Sequence, residues 1–280
     1  MNRLTNEDRC RVLACLVEGN SIRSTVRITG IAKRTVSRLM VEVGQACERF
    51  ADQAMRNLPC QSLQCDELWA FCGAKEKNAT PEQKLKGWGD VWTWIAIDPM
   101  TKLIPQWFVG DRSAETAYRF MLRLSRRLSN RIQLTTDGLK AYLIAVKAAF
   151  PDGIDYAQLI KIYDNPLNVG RYSPGAFAGA RKERISGSPF PEVISTSHVE
   201  RNNLTVRMEC RRFTRLTNAF SKKIENHRFA CAIHFVHYNF ARIHSAHRVT
   251  PAMAAGVSDH VWSLSEIIGL LEAEEVLLAA

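Results

Sequence analysis

The order of strand-like and helix-like segments between residues 63 and 162 most constrains the fold of this 280-residue chain. Three segments rich in β-branched and aromatic residues come first, and two helical patterns then alternate with two further strands. This order, βββ-α-β-α-β, is typical of a mixed sheet with helices on its faces, so we predict an α/β fold. The expected strands are residues 63–71, 91–97, 103–109, 131–137 and 154–162, and the expected helices are 113–128 and 139–150.

Residues 1–57 form a separate helical pattern, which predicts a small all-α domain. Helices are expected at 6–18, 21–29 and 32–50, with Gly30 in the turn before the last one. A short helix, a glycine turn and a second helix follow the helix-turn-helix order of DNA-binding proteins. A plain three-helix bundle with a solvated polar face is the alternative. The residues expected to contact DNA are Lys33, Arg34, Thr35, Ser37 and Arg38.

The charge of the chain favours a polyanionic partner. The net charge is +10, and the sequence pI is about 9.4, which is typical of proteins that bind nucleic acid. The basic residues are concentrated between 171 and 228, where the chain has twelve Lys and Arg residues and five acidic residues, a net charge of +7. Residues 251–280 contain five acids and no Lys or Arg. We therefore expect the basic segment, and not the C-terminal one, to contact DNA.

The remaining composition indicates a cytoplasmic protein. The N-terminus has no apolar signal-peptide core, and no segment reaches the roughly 18 apolar residues that a membrane span needs. The eight cysteines include no Cys-x-x-Cys pair, so we expect reduced, mostly buried thiols and no zinc site.

Residues 163–196 are rich in proline, glycine and basic side chains. This insertion is either a flexible connection that contacts DNA or a poorly ordered loop.

A helix is expected to begin at Ser197, which would be its N-cap, with Glu200 completing a capping box. Helical spacing places Glu200, Asn203, Arg207 and Arg211 on one face, so one carboxylate and two cations would project together. The alternative is a capping glutamate on a solvated basic helix. Apolar residues expected beside this face are Val199, Leu204 and Met208.

Two aspartates far upstream change the interpretation of Glu200. Asp66 lies inside the first predicted strand, and Asp137 lies at the end of the fourth. In a mixed sheet these two strands are neighbours, so both aspartates and Glu200 can reach one crevice at the sheet edge. Carboxylates that close need cations between them, and an all-oxygen set favours Mg²⁺ or Mn²⁺. Glu67 should point to the opposite face and is interpreted as structural.

These residues also carry a family resemblance. The chain resembles the DDE transposases of bacterial insertion sequences, most closely the IS-one type, over roughly residues 60–256. The resemblance implies a ribonuclease H-like fold in which Asp66, Asp137 and Glu200 bind two divalent metal ions, with Arg207 holding a phosphate. Unlike some relatives, the chain has no Cys-x-x-Cys module near its start. The segments that carry the resemblance are CDELW at 65–69, GAK at 73–75, TDG at 136–138 with Tyr142, HVERNNL at 198–204, YNF at 238–240, His244 and TPAMA at 250–254.

Together, the helical pattern, the resemblance and the charge distribution predict three parts: a helix-turn-helix domain at 1–57, a catalytic domain at 58–256 and an acidic C-terminal helix at 257–280. The resemblance also implies an enzyme that binds terminal inverted repeats, hydrolyses the phosphodiester at element ends and transfers 3′-hydroxyls to target DNA. Two Mg²⁺ or Mn²⁺ ions are the expected cofactors, and at least a dimer is expected when two ends are synapsed. A catalytically silent DNA-binding regulator and a nuclease or resolvase without strand transfer remain alternatives.

Overall fold

The structure, a computed structural model, describes residues 4–151, 153–164, 176–215 and 217–279. Its centre is a six-stranded mixed sheet in the order β3-β2-β1-β4-β5-β6. The first three strands form an antiparallel meander, β4 and β5 run parallel to β1, and β6 returns antiparallel to β5. This topology is compatible with the predicted ribonuclease H-like fold. The strands are β1 Ser62–Cys72, β2 Gly89–Ile97, β3 Gln106–Gly110, β4 Gln133–Thr136, β5 Asp155–Asp164 and β6 Ala176–Ser186.

The helices agree with the sequence pattern in order and differ from it in their ends. A π-helical turn at His237–Ala241 extends α8, and short 3-10 turns lie at Glu76–Asn78, Pro191–Val193 and Arg211–Phe213. The helices are α1 Asn6–Val17, α2 Ile22–Thr29, α3 Lys33–Ala54, α4 Pro81–Leu85, α5 Ala114–Ser125, α6 Ala141–Ala149, α7 Ser197–Glu209, α8 Ile224–Val236, α9 Pro251–Ala254 and α10 Leu264–Ala279.

All five predicted strands and both helices between them are confirmed. The interpretation of residues 163–196 as an irregular insertion is wrong for its second half, because β6 and a 3-10 turn occupy much of 176–193. Residues 165–175 lie outside the described residues. The polar segment between β1 and β2 also contains the short helix α4, which begins with a capping box between Thr80 and Gln83.

The two faces of the sheet are covered by different helices. On one face the Trp94 ring of β2 packs against Phe120 of α5 and Tyr142 of α6, at centroid distances of 6.0 and 5.2 Å. On the other face the neighbouring Thr93 side chain lies 4.0 Å from the Cys231 sulfur of α8. Adjacent strand residues point to opposite faces, so α5 and α6 form one layer and α8 lies in the other.

The three N-terminal helices begin within one residue of their predicted starts, and the first two end within one residue of their predicted ends. Ser21 caps α2 by accepting a hydrogen bond from the Ser24 amide, and Gly30 ends α2 in the left-handed conformation at φ +74°. The third helix continues to Ala54, four residues beyond the predicted end.

The second half of α3 packs closely against α8. Gly44 makes this approach possible, because a Cβ atom there would lie 2.3 Å from the Cβ of Phe229. Buried residues of α1 and α3 belong to the same hydrophobic core as those of the sheet, and α10 adds Ile267 and Ile268 to it. The N-terminal helices are therefore joined to the sheet by apolar packing as well as by the chain. Within the described ranges, no helix combines the length and apolar character needed to cross a membrane.

Candidate functional site

Asp66 and Asp137 meet at the junction of two parallel strands. Cys65 of β1 is in register with Thr136 of β4, so the next residue of each chain segment, Asp66 or Asp137, lies at the same level of the sheet. One carboxylate oxygen from each of Asp66, Glu67 and Asp137 lies within 4.8 Å of the others. The prediction that the two aspartates come together is confirmed, and three clustered oxygen ligands are a set that a divalent cation can bind.

Glu67 was interpreted as structural, yet it belongs to this acidic cluster. Its side chain is almost fully buried, and its Oε2 lies 3.1 Å from the Arg112 Nη2 atom. The same Nη2 lies 3.9 Å from Asp137 Oδ2, and the guanidinium stacks on the Trp92 ring at 4.5 Å. Arg112 therefore places one positive charge beside two acids of the cluster. The adjacent acids in a buried strand were the available sequence signal for Glu67, whereas none marked Arg112.

Glu200 approaches the cluster from α7, which begins at Ser197 with Thr196 at the N-cap. The predicted capping box at Ser197 is wrong, because the N-cap residue is Thr196 and its own side chain makes no capping hydrogen bond. The Thr196 hydroxyl instead donates to Glu200 Oε1, and the Lys161 ammonium of β5 pairs with Glu200 Oε2. Glu200 is not part of the 4.8 Å cluster, but its charge raises the pKa of both Asp66 and Asp137. Its carboxylate therefore belongs to the same electrostatic site.

Two polar side chains position α7 against β1. The Gln64 Oε1 atom accepts hydrogen bonds from the backbone amides of His198 and Val199, at 2.8 and 3.2 Å. These amides belong to the first turn of the helix and have no partner within it. One turn further on, Asn203 donates its side-chain amide to Asp66 Oδ2 at 2.7 Å. The sequence pattern gave no indication of the role of Gln64.

Burial and mutual repulsion disfavour the ionised forms of the acids in this cluster. Burial and the nearby Asp137 carboxylate raise the pKa of Asp66 to about 7. The same two causes raise the pKa of Glu67 to about 8. Burial also raises the pKa of Asp137, against the opposing effects of the Leu139 amide and Arg112. Raised carboxyl pKa values of this kind cluster at functional sites, and a bound cation would relieve the repulsion.

Residues predicted to contact DNA fall on two surfaces. Lys33, Arg34 and Arg38 are exposed in the first two turns of α3, and Thr35 and Ser37 beside them are partly exposed. Arg38 makes one exposed ion pair with Glu42 at 3.5 Å. The first turns of α3 thus present a basic surface to solvent.

The predicted face of α7 is only partly formed. Arg207 is half-buried, and burial, together with Arg215, lowers its pKa to about 10. Arg211 lies beyond the end of α7 in a 3-10 turn, so it does not share a helical face with Glu200. Asn203 is buried and bound to Asp66, which makes it a positioning residue in this arrangement. Of the apolar residues expected beside this face, Val199 is buried, whereas Leu204 and Met208 are exposed. The other buried residues of α7 are Asn202, Asn203 and Val206.

No protein-family model matches the chain, and no curated protein sequence matches it significantly. Among solved structures, a similar one is the piggyBac transposase synaptic complex with hairpin DNA, determined by cryo-EM. The two chains are 12% identical with a TM-score of 0.41, and the alignment covers 99% of this chain and 74% of that chain. At this level of similarity, only the side chains of this chain carry information about its function.

Proposed function

We propose that this chain is a DDE-type transposase that cleaves DNA at element ends and joins the 3′-hydroxyls to target DNA. The observation that carries the proposal is the position of Asp66 and Asp137 on neighbouring parallel strands. Their carboxylates lie in one cluster, and both have raised pKa values. Glu200 reaches the same electrostatic site from α7. Buried acids that repel each other destabilise the fold, so their presence is best explained by a ligand that requires them.

The cluster suits a hard divalent cation. Its ligand atoms are all carboxylate oxygens, the set that favours Mg²⁺ or Mn²⁺ over zinc. In the proposed mechanism, Asp66, Asp137 and Glu200 would hold a pair of metal ions. Bound metal would polarise the scissile phosphodiester and stabilise the charge that develops on the attacking and leaving oxygens.

The other residues of the site position these acids and balance their charge. Gln64 and Asn203 hold α7, and with it Glu200, against β1. Lys161 and Arg112 are paired with Glu200 and Glu67, respectively. Metal binding at Glu200 would require the Glu200 carboxylate to break its ion pair with Lys161 and to bind the metal ion instead. Lys161 would then be free to interact with a DNA phosphate near the site.

The partner that we propose is double-stranded DNA at the element ends and at the target. The exposed basic residues of α3 would recognise the terminal repeats in helix-turn-helix fashion, and Arg207 would contact a phosphate near the acids. The proposed organisation keeps residues 1–57 for recognition, 58–256 for catalysis and 257–280 as a C-terminal helix. Synapsis of two ends would require at least a dimer, and the protein would act in the cytoplasm on chromosomal DNA.

A catalytically silent DNA-binding regulator is a second candidate, which one specific observation favours. The ion pairs of Lys161 with Glu200 and of Arg112 with Glu67 compensate part of the acidic charge without a metal. A regulator could retain this arrangement for its structure alone. Metal-dependent cleavage distinguishes this candidate from the enzyme.

The decisive experiment uses the purified full chain, Mg²⁺ and a labelled duplex carrying the ends of the DNA element that encodes the protein. A transposase should give cleaved ends and joined products, and both should disappear with EDTA. Cleaved products alone would indicate a nuclease or resolvase. A retarded but intact duplex at every Mg²⁺ and Mn²⁺ concentration would support the regulator and contradict the enzyme.

A further inference from the structure

A cavity of about 540 Å³ lies between the N-terminal helices and the sheet domain, apart from the acidic cluster. Its walls come from the first turns of α2 and α3, the 3-10 turn after α7, the segment 218–222 and α8. The segment 218–222 is attached to β1, because the Gly73 amide donates to the Ser221 carbonyl at 2.8 Å. The cavity is therefore bordered by the proposed DNA-reading helix and by a segment anchored on the strand that carries Asp66.

The cavity is strongly cationic. Five basic side chains line it, and Glu209 is the acidic residue among its lining residues. Glu209 is already paired with Arg242, which is not part of the lining. Within the described part of the chain, none of the five basic side chains forms a salt bridge. The five are Arg23, Lys33, Arg211, Arg212 and Lys222.

Buried polar atoms in the wall also lack partners. The Ser221 side chain is 2% exposed, and its hydroxyl makes no hydrogen bond to any described residue. The Arg211 Nε atom is also buried, and it has no hydrogen-bond partner among the described residues. Buried donors without acceptors are costly and uncommon in folded proteins. A hydroxyl, a guanidinium and several further cations around one space are the donors that a phosphate group needs.

The geometry points to a binding site for a backbone phosphate of DNA, held mainly by Arg211, Ser221 and Lys222. This inference rests on the proposed DNA-binding function and adds a specific contact to it. Lys33 and Ser37 line the cavity and lie one helical turn apart on α3. A duplex recognised by the start of α3 would thus present its backbone to the cavity. The positive end of α2 lies at the same wall through Ser21 and Ile22, and favours an anion there.

The first test measures duplex affinity of the full chain by fluorescence anisotropy over a series of salt concentrations. Arg211→Gln and, separately, Lys222→Gln should each weaken binding about tenfold and reduce the slope of log K against log salt by about one, because each loses one phosphate contact. Lys147→Gln is the matched control, since Lys147 is exposed on α6 and does not line the cavity. Lys222 is exposed, so its variant should fold even if the Arg211 variant does not.

The second test replaces single phosphates of the duplex with neutral methylphosphonates, one position at a time. The unmodified protein should bind more weakly when the methylphosphonate is at one or two particular positions. The affinity of Arg211→Gln should not change at those positions, and its response at all other positions should match that of the unmodified protein. Identical profiles for both proteins would overturn the assignment.

The outcomes separate failure of this inference from failure of the proposed function. If duplex binding depends on Arg34 and Arg38 but is unchanged in the Arg211 and Lys222 variants, only the phosphate site is wrong. If the unmodified protein binds no duplex, both are wrong. Thermal stabilisation by inorganic phosphate or deoxyadenosine monophosphate that requires Arg211, with duplex affinity unchanged by Arg211→Gln, would assign the cavity to a small phosphate ligand and overturn the DNA contact.

Discussion

Asn203 donates a hydrogen bond to Asp66 at 2.7 Å, although 137 residues separate the two in the chain. The contact joins α7, which carries Glu200, to the strand that carries the first acid of the cluster. Gln64 makes a second connection between the same two elements through the first turn of α7. The relative position of Glu200 and Asp66 therefore depends on two uncharged side chains, neither of which would bind metal.

Asn203→Ala should lower Mg²⁺-dependent cleavage about 10- to 100-fold, the range expected when a residue supporting a metal ligand is lost. Duplex affinity should stay near that of the unmodified protein, because Asn203 is buried. Cleavage rates over a Mg²⁺ titration measure the effect, which should include a higher half-saturating Mg²⁺ concentration. Leu204→Ala on the exposed side of α7 is the control. Equal activity of the two variants would contradict a positioning role for Asn203.

Gln64→Leu should destabilise the protein by about 1–3 kcal/mol, because it leaves two backbone amides of α7 without an acceptor. Activity should fall together with stability, since the helix that carries Glu200 loses its attachment. Thermal unfolding and cleavage assays on the same preparation measure both effects. Gln61→Leu serves as the control, as Gln61 is exposed one residue before the start of β1. An unchanged unfolding temperature for Gln64→Leu would mean that the two amides find other partners.

Asp66→Asn, Asp137→Asn and Glu200→Gln should each abolish cleavage and joining while retaining duplex binding. The amides keep the shape of the side chains but lose the charge that binds the metal. Gel-based cleavage assays and anisotropy measure the two properties separately. Loss of DNA binding in all three variants would instead assign these acids to folding. Retained cleavage in the Glu200 variant would remove α7 from the catalytic site.

The unfolding free energy should fall as the pH rises from about 6.5 to about 8.5. Asp66 and Glu67 have folded-state pKa values of about 7 and about 8, above the values near 4 of unfolded carboxyls, so the folded state holds more protons in this window. Buried histidines such as His227, with a lowered pKa of about 3, act in the opposite direction and mainly below this range, because unfolded histidines titrate near pH 6.5. The expected loss is on the order of 2 kcal/mol.

Chemical denaturation at pH 6.5 and 8.5 measures this loss. Glu67→Gln should reduce the pH dependence, whereas Glu82→Gln, at an exposed position, should retain it. Added Mg²⁺ should stabilise the protein most at the higher pH, where the acids are ionised and available to the cation. A Mg²⁺ effect that is equal at both pH values would argue against binding at this cluster.

Arg34→Ala combined with Arg38→Ala should weaken duplex binding. It should also reduce the slope of log K against log salt by about two, because two phosphate contacts are lost. Both side chains are exposed at the start of α3, and neither packs in the core, so stability should be unchanged. Arg126→Ala, at the end of α5, provides a control that removes a basic side chain elsewhere. Unchanged binding in the double variant would exclude α3 as the recognition element.

The positions of β1 to β5 along the chain were predictable because each depends on a local alternation of β-forming residues. The meeting of the two aspartates followed from the general order of a mixed sheet, in which the parallel β1–β4 pair brings Asp66 and Asp137 together. The strand β6 was missed because its sequence, with Gly179 and several charged residues, has weak β-propensity. It forms by pairing with β5, an interaction between two strands that the periodicity of either strand alone does not encode.

The errors in the candidate site have a related cause. Glu67, Arg112 and Lys161 act through contacts that cross from one element to another, and sequence spacing describes only one element at a time. Helical spacing was extended to Arg211 because no proline or glycine marks the end of α7 at Glu209, and Arg211 was therefore assigned to the wrong surface. Helical spacing also placed Leu204 in an apolar stripe beside the Glu200 face, whereas the side of α7 that is buried carries Asn202 and Asn203.

The unbroken course of α3 has a mechanical consequence. Its first turns carry the exposed basic residues, and its second half is fixed against α8 where Gly44 meets Phe229. Twenty-two helical residues span about 33 Å at 1.5 Å each. In the proposed function, this rigid helix would fix the distance between the DNA sequence that α3 recognises and the bond that is cleaved. Inserting one residue before Gly44 would turn the reading face by about 100°, and would shift the cleavage position even where affinity survived.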